Sequence, residues 1–226
     1  MLKLQYVTYL LLLILFSSCS VFIPSGHYTF KENITIMRCN TARIAPCLGG
    51  KNKQIIRLCN LARVNPELFL KYSHKRYKKD TINLNKLDKL KFHKPKYIYL
   101  LRPSFLLTLN AQIHAIGSGL TGYEGHRGAK ARLFITLNLN SALPGIYSGE
   151  NCNYGYFMPF DVFTGWMTSS GHRKNILFPK FFRIGMGGFF HFSKYRYNMV
   201  QVFTGPKILD VITRPQTIVR TRKKSR

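Results

Sequence analysis

Acidic residues are the scarcest chemistry in this sequence: 8 Asp and Glu stand against 35 Lys and Arg in 226 residues, a formal net charge of +27. A chain so short of carboxylates has few candidates for paired-carboxylate acid–base work, and each acid that sits inside a motif gains weight. Such an imbalance bears on partners and solubility, not on fold. Tryptophan occurs once, at Trp166. No run of about 20 apolar residues, the length needed to cross a bilayer, occurs anywhere. No internal repeat is visible, and no nucleophile elbow accompanies the Ser169-Ser170 pair near His172, so a serine nucleophile is disfavoured. No recognisable nucleic-acid-binding fold accompanies the charge, which disfavours specific nucleic-acid reading.

What is present suits one domain with additions. Apolar residues make up 46 % of the chain, enough for a sizeable core. The first 18 residues stand apart. Lys3 precedes a short apolar run over 7–16, followed by Ser17, Ser18 and Cys19. This is the layout of an export signal. The small-small-Cys ending resembles a bacterial lipoprotein cleavage box, with Phe16 in place of the usual Leu. Segment 1–18 is therefore expected to be a lipoprotein-type signal peptide, with Cys19 lipidated after cleavage and the protein anchored to the cell envelope. Simple secretion is the alternative.

Cys39, Cys47, Cys59 and Cys152 remain after export. An even number in an oxidising compartment suggests two disulfides. Three pairings are open and the sequence does not choose. The closeness of Cys39 to Cys47 makes that pair the first guess, leaving Cys59 with Cys152, a long loop whose closure would add roughly 3–5 kcal/mol. Buried free thiols are the alternative.

Along the chain, 19–50 reads as an irregular lead-in. Residues 53–64 read as a helix with Ile55, Leu58, Cys59 and Ala62 on one face. Pro66 interrupts it and opens a short turn. Segment 71–102, dense in Lys and Arg, reads as a basic surface insertion. Ser104 caps a second helix running to about 116, ended by Gly117 and Gly119. The loose alternation over 133–139 reads as a strand. Asp161 caps a third helix that ends at Gly171, which puts His172 just beyond it. Residues 184–192 and 195–203 read as a β-hairpin. Segment 207–226 turns polar and basic, a tail.

Two imidazoles and a carboxylate form the ligand set of an open zinc site, and such a trio stands out here: Gly125-His126, Gly149-Glu150-Asn151 and Trp166…Ser170-Gly171-His172-Arg173. By residue type alone the trio is weak. In order and context it is not. Asn60-Leu61-Ala62-Arg63 on one helix, Ala111 to Ala115 on the next, then these three segments, Ile184-Gly185-Met186-Gly187 and Val200-Gln201-Val202-Phe203 follow in sequence. Together, from about 51 to 206, they resemble the CAP superfamily of cysteine-rich secretory, antigen 5 and pathogenesis-related proteins, in its bacterial form.

That resemblance implies an α+β fold, an α-β-α sandwich around a central antiparallel sheet. It also implies a cleft lined by His126, Glu150, Asn151, Ser169 and His172. His126 and His172 would be the ligands of zinc or another divalent cation, and Glu150 the candidate catalytic base. The family's second glutamate falls at Ser169, so two-carboxylate chemistry is discounted. Plainer roles stand beside these: Glu150 and Asn151 as loop-fixing hydrogen-bond partners, His172 as a helix cap, Trp166 as core, Glu124 as a solvated loop residue, and His114 as a packing or surface residue outside the site.

Three functions follow as expectations. The first is an exported binding or interaction module whose cleft holds a divalent ion or lipid. The second is a metal-dependent hydrolase using His126, Glu150 and His172. The third is a surface protein binding polyanions, such as anionic lipid, lipopolysaccharide or glycan, through the Lys and Arg of 75–79 and 220–226.

Overall fold

A computed structural model describes residues 28–91, 98–138 and 146–206. The expected signal segment 1–18, Cys19 and the basic tail 207–226 lie outside the described residues. The chain forms two compact units, Met1–Met37 and Arg38–Arg226. The first contributes most of helix α1 (Phe30–Arg38). Thr29 and Glu32 form a reciprocal cap there: the Thr29 N–H donates to the Glu32 carboxylate at 2.7 Å and the Glu32 N–H to the Thr29 hydroxyl at 3.2 Å. The expected irregular lead-in thus contains a helix.

The second unit contains helices α2 (Gly50–Val64), α3 (Pro66–Arg76) and α4 (Thr81–Asp88), strand β1 (Arg102–Pro103), and helices α5 (Phe105–Thr121) and α6 (Ala129–Asn138). Strand β2 (Ile146–Tyr154), helices α7 (Pro159–Thr168) and α8 (Ser170–Leu177), and strands β3 (Arg183–His191) and β4 (Arg196–Pro206) follow. The strands form one sheet in the order β1-β3-β4-β2. β4 pairs antiparallel with β3 and β2, while β1 runs parallel to β3, so the sheet is mixed. α5 packs against one face, and α2, α7 and α8 against the other, which gives the expected α-β-α layering.

The two faces are read from β4, where successive side chains alternate. Val200 and Val202 face α5 and form a buried cluster with Leu107, Ala111, Ala115 and Cys152. Gln201, between them, points the other way and its amide donates to the Cys59 sulfur of α2 at 3.4 Å. α5 lies directly on β3 because Gly185 and Gly187 have no side chain; a Cβ at either would overlap the backbone of Leu107 or Ala111.

Arg63 is fully buried and forms no ion pair among the described residues. Its guanidinium donates to four carbonyls: Tyr99 at 2.8 and 3.1 Å, Ile176 at 2.6 Å, Phe178 at 2.9 Å and Phe181 at 2.7 Å. Asn60, one turn earlier, accepts the Leu101 N–H at 2.8 Å and donates to the Cys39 and Leu101 carbonyls, both at 3.1 Å. The Asn60…Arg63 face of α2 therefore ties down three segments that have no ladder of their own.

Several sequence expectations need correction. Residues 133–139 were expected in a strand; those from 133 to 138 lie in helix α6. Ala129 and Ala131 favour helix, and within it the Thr136 hydroxyl donates to the Arg132 carbonyl one turn back at 2.8 Å. α5 runs past Gly117 and Gly119 and stops at Gly122, whose φ of 68° is left-handed. Pro66 opens a full helix rather than a turn. Asp161 lies in the first turn of α7, not at its cap, and the helix breaks at Ser169, so His172 sits inside the following helix α8. The basic insertion is not wholly exposed: Leu84 and Leu87 of α4 are buried, and Tyr77 stacks on Phe160 at 3.9 Å. Asp80 caps α4 through the Asn83 N–H at 3.1 Å, and Asp88 pairs with His74 at 2.8 Å.

The two expected disulfides are not formed: Cys39, Cys47, Cys59 and Cys152 are all free thiols. Cys59 and Cys152 face opposite sides of the sheet, so the sheet stands between them. Burial pushes the Cys39 and Cys59 thiols up to about 12, well away from thiolate reactivity. In the full chain carrying Cys19→Ser, Ellman's reagent should react promptly with one thiol, the partly exposed Cys47, and with all four only after denaturation without reductant. Fewer than four in the denatured chain would show that a disulfide forms.

Candidate functional site

The site is organised by Glu150, whose side chain projects from edge strand β2 on the α5 side of the sheet and keeps 9 % exposure. Its Oε1 accepts from His126 Nδ1 at 3.0 Å. Its Oε2 accepts from Arg132 Nη2 at 2.8 Å and lies 3.1 Å from His114 Nδ1. Arg132 Nη2 also lies 2.7 Å from that His114 nitrogen. The Cys152 thiol approaches Oε1 at 3.7 Å. Both carboxylate oxygens are thus committed.

Each partner is placed by local sequence. His126 follows Gly125, whose φ of 106° takes the backbone into the left-handed region, and the Gly125 N–H donates to the Tyr154 hydroxyl at 2.8 Å. Arg132 comes from the first turn of α6, and a second arm of its guanidinium donates to the Arg127 carbonyl. α6 is tied to α5 by Asn110, which donates to the Thr136 hydroxyl at 2.9 Å. His114 is presented by α5 and is nearly buried.

Burial alone would push the Glu150 carboxyl up. The hydrogen bond and charge of His114, then the donors His126 and Arg132, outweigh it and hold the carboxyl at about 2, against an ordinary 4.5. Burial, followed by the Glu150 charge, raises the Cys152 thiol. His172 is half-buried, and burial together with the nearby His126 lowers its affinity for a proton.

His114, Glu150 and Cys152 are the group whose ligand atoms lie within 4.8 Å of one another among the described residues. They do not suit a cation, because the Arg132 guanidinium already occupies the space between His114 and Glu150. His126 suits one better. Its Nδ1 is committed to Glu150, the outer-shell pairing that orients a ligating imidazole, while Nε2 makes no hydrogen bond among the described residues. His172 favours the neutral form that ligation requires.

The structure divides the residues expected to share one cleft. A cavity of about 260 Å³ between α6 and β2 is lined by Ala129, Lys130, Leu133 and Val202 together with His126 and Glu150. Asn151, Ser169 and His172 do not line it. Asn151 is fully buried on the opposite side of β2 and donates to the His172 carbonyl at 3.2 Å and to Gln201 at 3.1 Å. It also accepts from Asn175 at 2.9 Å. It is a strand-to-helix anchor. Ser169 is the junction between α7 and α8. Trp166 is core, its indole donating to the Cys152 carbonyl at 3.1 Å. His114, set aside from sequence, belongs to the site, as does Arg132, which the sequence reading did not single out. With α6 taken as a helix, the one-turn spacing of Arg132 and Thr136 was the available signal.

Replacing Glu150 by Gln should cost about 2–3 kcal/mol in urea unfolding, below the roughly 3–5 kcal/mol of a fully buried pair because Arg132 keeps partial exposure. A carboxyl with a depressed folded value contributes stability that is full above its unfolded value and is lost as pH falls through the folded one. Wild-type stability should therefore decline between about pH 4.5 and 2 by an amount that E150Q lacks; parallel acid profiles would show that the carboxylate is not held this way.

The profile of the cysteine-rich secretory protein family, CAP, matches residues 70–203. "Uncharacterized protein YkwD" of Bacillus subtilis (strain 168) is 52 % identical over 40 residues, a stretch that is 18 % of this chain and 16 % of that protein's length. Among solved structures, an extracellular protein containing an SCP domain from Bacillus anthracis str. Ames is 19 % identical, with a TM-score of 0.38 over 60 % of this chain and 37 % of its own. An outer surface protein from Borrelia burgdorferi is 17 % identical, with a TM-score of 0.39 over 61 % of this chain and 95 % of its own. With more than half of its length matched by the family profile, the chain belongs to the cysteine-rich secretory protein (CAP) family.

Proposed function

We propose that this chain is an exported, lipid-anchored binding module that takes a divalent cation through His126 and His172, beside a small apolar cavity open to a ligand. The observation that carries the reading is the 3.0 Å contact between His126 Nδ1 and Glu150, which orients the imidazole and leaves Nε2 uncommitted. Two protein nitrogens leave coordination positions open, as in sites that exchange ligands rather than closed structural ones. A bound cation would supply Lewis acidity and a positive centre for an anionic ligand group. Ala129, Leu133 and Val202 offer an apolar wall beside it, suited to a lipid-like group, and Lys130 adds positive charge to the cavity lining.

The hydrolase reading is weaker because its base is missing. A carboxylate held at about 2 and engaged by Arg132 takes up a proton poorly near neutral pH. Ser169 supplies no second carboxylate. Export rests on the basic-apolar-Ser17-Ser18-Cys19 layout; no helix among the described residues is long and apolar enough to cross a membrane.

Zinc titration of the full chain by calorimetry should show one-to-one binding, weakened about tenfold or more by either His126→Ala or His172→Ala and by lowering the pH, since ligation needs neutral imidazole. A folded wild type that binds no zinc would end the metal reading. Cys19→Ala should move the protein from the membrane to the soluble fraction; a variant that stays membrane-bound would end the lipid-anchor reading.

A further inference from the structure

A second cavity, of about 240 Å³, opens between the turn at 40–43, the first turns of α2, and α3. It shares no lining residue with the cavity beside His126. Arg43, Lys53, Arg57 and Arg76 line it, and no acid does. Among the described residues none of these four forms an ion pair. Lys53 reaches only the Arg43 carbonyl, at 3.3 Å. The Arg57 Nε is buried and has no hydrogen-bond partner.

Arg63 is matched by four carbonyls, and Arg132 by Glu150 although its own Nε is likewise buried without a partner. Here Lys53 and Arg57 are half-buried and Arg43 and Arg76 exposed, and no acid among the lining residues offsets their mutual repulsion. The cavity also takes in Gly50, at the N-terminus of the 15-residue helix α2. That end has no side-chain cap and no acid in its first turn. Its first N–H groups are unsatisfied within the helix, and the helix dipole adds positive potential. Gly49 and Gly50 leave the approach to that backbone open.

Guanidinium forks, an ammonium and helix N-terminal N–H groups together are the donor set for a tetrahedral, multiply charged anion. A lone carboxylate would leave most of these donors unused. The volume lies below the roughly 300–1,000 Å³ of pockets for drug-sized ligands, and so fits a compact headgroup. Asn40 and Tyr72 on the wall can meet the ester side of such a group. We propose that this cavity is a phosphate-monoester site, formed by Arg43, Lys53, Arg57, Arg76 and the N-terminus of α2. Its ligand is either a phosphorylated lipid headgroup at the membrane surface or a soluble phosphate ester.

The test uses the full chain carrying Cys19→Ser, which removes the proposed lipid anchor, at moderate salt. Inorganic phosphate and glycerol phosphate are titrated by calorimetry, and phosphatidylcholine vesicles with and without phosphatidic acid are used in flotation. The paired substitution Arg57→Gln with Arg76→Gln is compared with Lys174→Gln with Lys194→Gln, which removes the same charge at positions outside the cavity. Phosphate should bind one-to-one, weakened about tenfold or more by the cavity pair and less than about twofold by the control pair. If phosphatidic acid vesicles lose binding in the same order, the site reads a lipid headgroup. If phosphate binding falls and vesicle binding does not, it reads a soluble ester. Equal weakening by the two pairs, or no phosphate binding by folded wild type, overturns the proposal. Circular dichroism checks folding; if the cavity pair unfolds, Arg76→Gln alone, at an exposed position, carries the comparison.

Discussion

Arg63 is the interaction on which the second unit's arrangement depends. A buried guanidinium without a carboxylate is costly unless its donors are satisfied. Here four carbonyls do so, and burial lowers the group only to about 10, so it stays charged at neutral pH. Two of those carbonyls, Ile176 and Phe178, lie at the C-terminal end of α8, where the helix dipole is negative. The same side chain thus fixes α2, the 99–101 segment leading to β1, the end of α8 and the approach to β3. α8 carries His172, so the position of a candidate ligand is set from a residue on a different helix.

Glu150 plays the corresponding part on the other side of the sheet. It gathers α5, α6 and the turn at 125–128 around one carboxylate, and this assembly shapes the cavity between α6 and β2. Saturating the carboxylate has a chemical consequence. Glu150 is held ionised by its donors and acts as an orienting acceptor for His126. Asn151, next along β2, secures α8 on the opposite face. The Glu-Asn pair therefore links both helical layers through one edge strand, each residue serving one side by the alternation of a strand.

Much of the fold was legible. The hairpin of β3 and β4, the Ser104 cap and the apolar face of α2 all follow from local periodicity and capping chemistry. The failures have physical causes. The 133–138 segment alternates loosely, yet its register is decided by Arg132 and Thr136 binding partners on other elements. The disulfide expectation rested on count and compartment, whereas pairing needs proximity, and the sheet separates Cys59 from Cys152. Gly117 and Gly119 look like helix ends, but Gly119 lies under the backbone of β3, where a side chain would clash.

The sequence by itself determined the family, the layered architecture, and an excess of cations that any function must accommodate. These are properties of motif order and composition, which survive without coordinates. Only the tertiary structure decided that Arg132 and His114 saturate Glu150, that Asn151 faces away from the cavity, and that four of the many cations converge on one uncompensated space. Those outcomes depend on which residues from distant segments meet, and charge–charge and hydrogen-bond energies vary so steeply with distance and burial that no count of residue types contains them.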